Sequence, residues 1–347
     1  MHKYDYSFLK DGIPGNIIGL ITIIADLRSK EAFRRQQYGE TFERLRQKAM
    51  VESVKGSNAI EGIITTEARI KEIVNGAMPV THDEMEISGY KDALSFIHAN
   101  HVNLDIDEDM ILGIHKMIEE QTNYQEAGKY KTFNNYIMEY CADGSRQIRF
   151  KPVLAKDVQA DMQQLMLAYY DARQDSEISP LLLIPCFVLD FLCIHPFTDG
   201  NGRVSRLLTV LLLYLSGYDI VKYISYEGQI DKYKESYYEA LKVSSDLWHE
   251  NRNNYVPFII NFLQILYGCF KNLDNAFTEI SLKKAKKSER VECVLRNAVV
   301  PISKQDIVEK VPDISVKTVE LVLRKMMKEN KIKKTHTRKP EIYLLTM

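Results

Sequence analysis

The chain has 347 residues, 45% hydrophobic and 27% charged, with a formal net charge of −1, which excludes a disordered or collagen-like polymer and describes an ordinary folded protein. The length exceeds one typical core and predicts separate regions at 1–100, 101–282 and 283–347. Charge is uneven: residues 283–347 hold 17 Lys+Arg against 8 Asp+Glu and the remainder 29 against 39, which implies two surfaces of different function.

Cys141, Cys186, Cys193, Cys269 and Cys293 lack Cys-x-x-Cys spacing, so neither a zinc site nor a disulfide framework is expected, only free and mostly buried thiols. The start, Met1-His2-Lys3-Tyr4, has no basic-then-apolar leader pattern, and the longest apolar-rich run, Leu207 to Leu215, is too short to span a bilayer. A cytoplasmic protein with no membrane association is expected.

From Ile17 to Val54 the spacing is helical, with Ile18, Ile21, Ile24 and Leu27 on one stripe. Glu61 followed by Gly62 reads as a helix end. Thr65-Thr66-Glu67 and Thr81-His82-Asp83-Glu84 read as helix starts with acid in the first turn. His98, His101 and His115 have no acid at metal-ligand spacing and are expected on the surface or satisfied in the core. Between Gly128 and Pro152 the pattern turns to a β-hairpin, with Tyr136-Ile137-Met138 and Ile148-Arg149-Phe150 flanking a turn near Asp143-Gly144.

Ser179-Pro180 opens a helix whose body, Leu181 to Ile194, is almost wholly apolar and therefore buried, and it delivers His195. The run His195-Pro-Phe-Thr-Asp-Gly-Asn-Gly-Arg-Val-Ser-Arg206 follows, and Arg203, Leu207, Leu208, Leu211, Leu212 and Leu215 continue with helical spacing to Gly217. Gly200-Asn201-Gly202 then sits at a helix N-terminus, where unpartnered N–H groups, the helix dipole and small glycines favour a phosphate. His195 can take a proton from an attacking hydroxyl, Asp199 is an oxygen ligand of the kind Mg²⁺ accepts beside substrate phosphates, and Arg203 and Arg206 can grip phosphate oxygens. The set describes transfer from a nucleoside triphosphate such as ATP.

An ordinary Asp-Gly-Asn-Gly turn is the plain alternative. A calcium loop fails, because its required Gly and bidentate Glu fall on Val204 and Val210. A Walker A loop fails, because Gly128-Lys129 lacks the upstream Gly and the following Ser/Thr; a dinucleotide fingerprint fails at Ser205.

Residues 195–206 resemble the signature of the Fic family at every defined position. The resemblance implies a mainly α fold, a Fic/Fido helical core with a β-hairpin flap, and AMPylation, in which AMP passes from ATP to a Ser, Thr or Tyr hydroxyl of a target protein. It implies His195 as base, Asp199 on Mg²⁺, Gly200, Asn201 and Gly202 on the α- and β-phosphates, Arg203 and Arg206 on the outer phosphates, and Phe197 as an anchor in the core. Ser57-Asn-Ala-Ile-Glu61-Gly62 resembles the family's inhibitory motif, which implies that Glu61 pairs with Arg206 and competes with the γ-phosphate. The hairpin resembles the flap that pairs with the target segment, although Lys131 stands where Arg is more usual. Tyr237 and Tyr238 lie in a segment that in the family borders the nucleotide base; an aromatic that stacks on a base and one that packs a core share this pattern.

Tyr255-Val256-Pro257-Phe258 opens the last helix of the core, to about Leu273, and Lys283 to Lys287 reads as a linker. Beyond it, Arg290 to Ala298, a helix capped by Ser303, a helix capped by Ser315 that carries Val316, Val319, Leu323, Met326 and Met327 inward, and a hairpin from Lys331 to Leu345 describe a winged helix-turn-helix. Lys317, Arg324 and Lys325 would be exposed, with Lys333, Lys334, Arg338 and Lys339 in the wing, a basic face able to bind DNA phosphates or dock a protein. The readings that remain open are self-modification, a homodimer, a regulator with a ligand-sensing core, transfer of another nucleotide, and removal of AMP.

Overall fold

The chain is built almost entirely of helices, as the 3.6-residue periodicity predicts. The computed structural model describes all residues except Met1, 141–143, 285–286, 297–301, 312–313, 336–341 and 346–347. It divides into two units, Met1–Leu273 and Asp274–Met347. No seam falls at residue 100, because the helix ending there packs on earlier and later helices of the same unit.

In the first unit, α1 (Gly15–Gln37) and α2 (Gly39–Ile60) break at Tyr38, where one continuous pattern is expected. The buried residues of α1 are Ile17, Ile24 and Glu31; of the expected stripe Ile24 is buried and Ile21 and Leu27 are half-buried, whereas Ile18 is exposed. Next come α3 (Glu67–Val74) and α4 (His82–Asn100), capped by Thr66 and Thr81, whose hydroxyls accept from the backbone N–H three residues on. After α5 (Glu108–Glu119), β1 (Ile137–Tyr140) and β2 (Arg146–Phe150) form the antiparallel hairpin, with Met138 opposite Ile148 and Gly144 at φ +81°. Asp143, part of the expected turn, lies outside the described residues.

The central layer is α7 (Pro180–Ile194) against α8 (Asn201–Leu215), with α6 (Val158–Gln174) packed on α7. Every residue of α7 from Leu181 to Ile194 is buried, as its apolar run requires. Asp190, the exception in charge, accepts from Tyr6 Oη (2.8 Å), Trp248 Nε1 (2.7 Å) and Tyr255 Oη (2.8 Å). These bonds tie the N-terminal residues and the α11 entrance to the helix that delivers His195. α9 (Tyr226–Lys232) and α10 (Lys234–Ser245) lie in this unit, and α11 (Val256–Lys284) begins in it.

α11 is longer than the expected end at Leu273 and runs into the basic segment read as a linker. Its Val256–Phe277 stretch is long and apolar enough to cross a membrane by length and composition alone, a longer apolar run than Leu207 to Leu215. In the fold, 56% of that window is buried, with Phe258, Phe262, Leu266 and Phe270 in the core. Cys186, Cys193 and Cys269 are free and buried, as expected.

The second unit holds α12 (Lys287–Arg296), α13 (Lys304–Lys310) and α14 (Val316–Lys328), with β3 (Ile302–Ser303), β4 (Ile332–Thr335) and β5 (Ile342–Leu345) in the antiparallel order β3-β5-β4. Ser303 forms a capping box with Asp306, and Ser315 caps α14. Val319, Val322, Leu323 and Met326 enter the core with Leu295, Ile307 and Ile332. Val316 does not; it is exposed in the first turn of α14, off the inward face. Lys317, Arg324, Lys325, Lys333 and Lys334 are exposed, whereas Arg338 and Lys339 lie outside the described residues.

Candidate active site

α7 ends on His195, which takes the left-handed conformation (φ +53°) uncommon for a residue with a side chain. Its backbone N–H closes the helix on Phe191, and its Nδ1–H donates to the Leu192 carbonyl at 3.3 Å, so Nε2 is the nitrogen left to accept a proton. Burial, then the Lys131 cation, lowers the imidazole to about 4, so the ring is neutral at physiological pH.

The turn after His195 is locked from below. Phe197 is fully buried and stacks on His115 with ring centroids 3.8 Å apart. His115 Nδ1 accepts from the Gly128 N–H (2.9 Å), and its Nε2–H donates to the Asp199 carbonyl (3.2 Å). This is the satisfied core histidine that its sequence context predicts, yet it holds the wall of the pocket. Asn201 is likewise structural: Oδ1 accepts from the Phe197 N–H (2.9 Å) and Nδ2 donates to the Phe197 carbonyl (2.8 Å). Its buried side chain is a staple across the turn.

Gly200, at φ +77°, begins α8, whose first i→i−4 bond runs from Val204 to Gly200. The N–H groups of residues 201–203 therefore have no acceptor within the helix, an arrangement that suits an anion. Asp199 stands at its edge with its side chain 77% exposed; Oδ1 accepts from the Gly200 N–H (2.7 Å) and Oδ2 lies 3.9 Å from Arg203 Nη2. An exposed carboxylate with lone pairs to spare beside a phosphate cradle suits Mg²⁺, which takes one or two protein carboxylates and completes its shell with phosphate and water.

The two arginines separate. Arg206 is buried and points to the cradle: Nε donates to Ser57 Oγ (2.8 Å), Nη2 to the Ser57 carbonyl (3.1 Å) and to Glu61 Oε1 (2.8 Å). Arg203, 2% exposed, donates instead to Glu86 Oε2 (2.5 Å) and Glu119 Oε1 (2.9 Å). The Arg203 guanidinium is thus paired with one carboxylate from α4 and one from α5, whereas Arg206 faces Ser57 and Glu61.

Glu61 and Gly62 end α2 as predicted, with Gly62 at φ +84°. The carboxylate lies over Gly202, where any Cβ would collide with Glu61 Oε1. Behind Ser57, Tyr90 Oη donates to Glu227 Oε1 (3.0 Å) while Ser53 Oγ donates to Oε2 (2.7 Å). Tyr90 and Glu227 form a buried pair that no local pattern identifies. Lys234 Nζ donates to the Ile60 carbonyl (2.6 Å), tying the end of α2 to α10. On α10, Tyr237 is buried between Phe258 and Tyr238, and Tyr238 is half-buried, so only the second offers appreciable surface to a ligand. The flap is fastened to the same helix by Lys242 to Glu139 (2.7 Å).

Residues 105–213 match the model of the Fic/DOC family. This stretch is similar to a Fic/DOC domain. It contains His195, the cradle and both arginines, whereas Glu61 lies before it. The chain is 25% identical over 206 residues to the Caenorhabditis elegans protein adenylyltransferase fic-1, covering 57% of this chain and 38% of that protein. It is 27% identical over 220 residues to the Nematostella vectensis protein adenylyltransferase Fic, covering 61% and 45%. It thus spans less than half the length of these relatives. Among solved structures it resembles a Fic family protein from Desulfovibrio desulfuricans (TM-score 0.63, 20% identity, 97% of this chain and 98% of that one). It also resembles residues 134–508 of C. elegans Fic-1 (TM-score 0.58, 21% identity, 74% and 71%). The helical Fic fold with its hairpin flap is therefore the fold of this chain.

Proposed function

We propose that this chain is a protein adenylyltransferase held inactive by Glu61. The observation that carries the reading is the junction of α7 and α8, where a neutral imidazole with a free Nε2 faces an anion cradle of unpartnered N–H groups. In the reaction, a hydroxyl of the target gives its proton to His195 Nε2 as its oxygen attacks the α-phosphorus of ATP. The bond from that phosphorus to the β-bridging oxygen breaks, and pyrophosphate leaves with the electron pair. The N–H groups of 201–203 hold the phosphates and Arg206 takes the outer charge once Glu61 releases it. Asp199 would hold Mg²⁺, which supplies charge neutralisation at the phosphates. The names of the relatives support the same chemistry. Incubating full-length protein with labelled ATP and Mg²⁺, alone and in lysate, tests it: a Glu61→Gly variant that binds ATP and labels no protein ends this reading.

For the second unit we propose a winged helix that binds DNA backbone phosphates. Support comes from the exposed Lys317, Arg324 and Lys325 on α14 beside Lys333 and Lys334 on β4. Retardation of duplex DNA by the full chain, lost as salt rises, tests it; no binding at low salt leaves protein docking as the role of this face.

A further inference from the structure

Lys131 is 3% exposed, and among the described residues no carboxylate pairs with it, a costly setting for a cation. Its Nζ donates to Asn135 Oδ1 (2.8 Å) and to the Ile194 carbonyl (3.3 Å), and its backbone N–H donates to the Pro196 carbonyl (2.9 Å). Asn135 Nδ2 continues the pattern with a bond to the Phe197 carbonyl (3.1 Å). One short segment, 131–135, thus grips the backbone immediately before and after His195, the residue with the unfavourable φ. Such strain persists only where the surroundings over-determine it.

We propose that Lys131 is a positioning residue for His195: its buried ammonium clamps the 194–197 turn and sets a positive charge against the imidazole, opposing a second one there. This rests on the reading of His195 as proton acceptor. The charged groups acting on the ring are Lys131, which opposes its protonation, and Glu61 and Asp199, which favour it. Lys131 itself is lowered by burial to about 8, the direction expected of an ammonium without a counter-ion. A lysine in place of arginine also gives a single point charge that reaches the Ile194 carbonyl without demanding a planar acceptor pair.

The test compares Lys131→Met, which keeps the length and removes the charge, with Lys131→Arg, which keeps the charge. Both are made in the full chain with and without Glu61→Gly. Two quantities are read: the NMR titration midpoint of the His195 ring, and the pH profile of label transfer from ATP. Lys131→Met is expected to raise the ring midpoint by about one unit and to move the acid limb of the profile up equally. Lys131→Arg is expected to leave both within a few tenths. If Lys131→Met unfolds, Lys131→Gln serves the same comparison. A midpoint unchanged in a folded neutral variant overturns the proposal, as does an equal shift in Lys131→Arg. If Glu61→Gly labels nothing, the reaction assigned to His195 fails, while the ring titration still decides the role of Lys131.

Discussion

Glu61 Oε1 sits 2.8 Å from Arg206 Nη2 directly above Gly202, so one carboxylate occupies both the cationic donor and the space over the cradle. A phosphate entering here must displace it. Glu61→Gly is expected to raise ATP-dependent labelling. With a charge-assisted bond worth about 1.5–3 kcal/mol, the gain is roughly ten- to a hundredfold. Radiolabel incorporation per mole of protein checks it, and an increase below threefold would show that Glu61 is not the brake.

His195→Ala should remove transfer and spare binding. Loss of a general base costs about 10²–10⁴ in rate. ATP affinity measured by calorimetry in the Glu61→Gly background is expected to change little, because the cradle belongs to the backbone of 201–203 and to Arg206. A matching loss of affinity would make His195 a binding residue.

Asn201→Ala tests the structural role of that side chain. It leaves the buried Phe197 N–H without its acceptor, while the Phe197 carbonyl retains Asn135. A loss of about 1–3 kcal/mol in unfolding free energy is expected, the penalty for one unsatisfied buried donor. Denaturant melts with no nucleotide present measure it. A residue serving only phosphate would leave them unchanged.

Much of the site could be read before any coordinates because its parts are close in sequence: a helix end, a glycine turn and a helix start occupy twelve consecutive residues. Its limits are equally physical. Nothing near Arg203 announces that Glu86 and Glu119, 117 and 84 residues away, neutralise it. The same separation hides Tyr90 and Glu227 behind Ser57. Asn201 is a suitable phosphate ligand by type, but whether its amide faces a ligand or its own backbone is fixed by the turn. The break at Tyr38 and the continuation of α11 past Leu273 leave no mark in the periodicity.

Asp190 gives stability a pH dependence of known sign. Burial, opposed by three donors, raises its carboxyl to about 7 from the ordinary 3.8. The folded state therefore holds a proton that the unfolded state has released, and this contribution is fully present below about pH 4 and lost as pH rises through 7. Asp190→Asn should be destabilised overall, for lost acceptors, and show a shallower fall in Tm between pH 4 and 7. An unchanged slope contradicts the assignment.

On the second unit, replacing Lys317, Arg324 and Lys325 with Glu should weaken DNA binding across all sequences. It should also lower the slope of log affinity against log salt by about 2–3, near 0.9 for each phosphate no longer neutralised. Fluorescence anisotropy over a salt series supplies the slope.

The bond from Lys234 to the Ile60 carbonyl couples two ends of the pocket that are far apart in sequence. The helix bearing Tyr238 and the flap's anchor Lys242 also holds the final turn of α2. A docking protein that tugs the hairpin, or a purine that wedges against Tyr238, therefore has a mechanical line to the brake without touching Arg206.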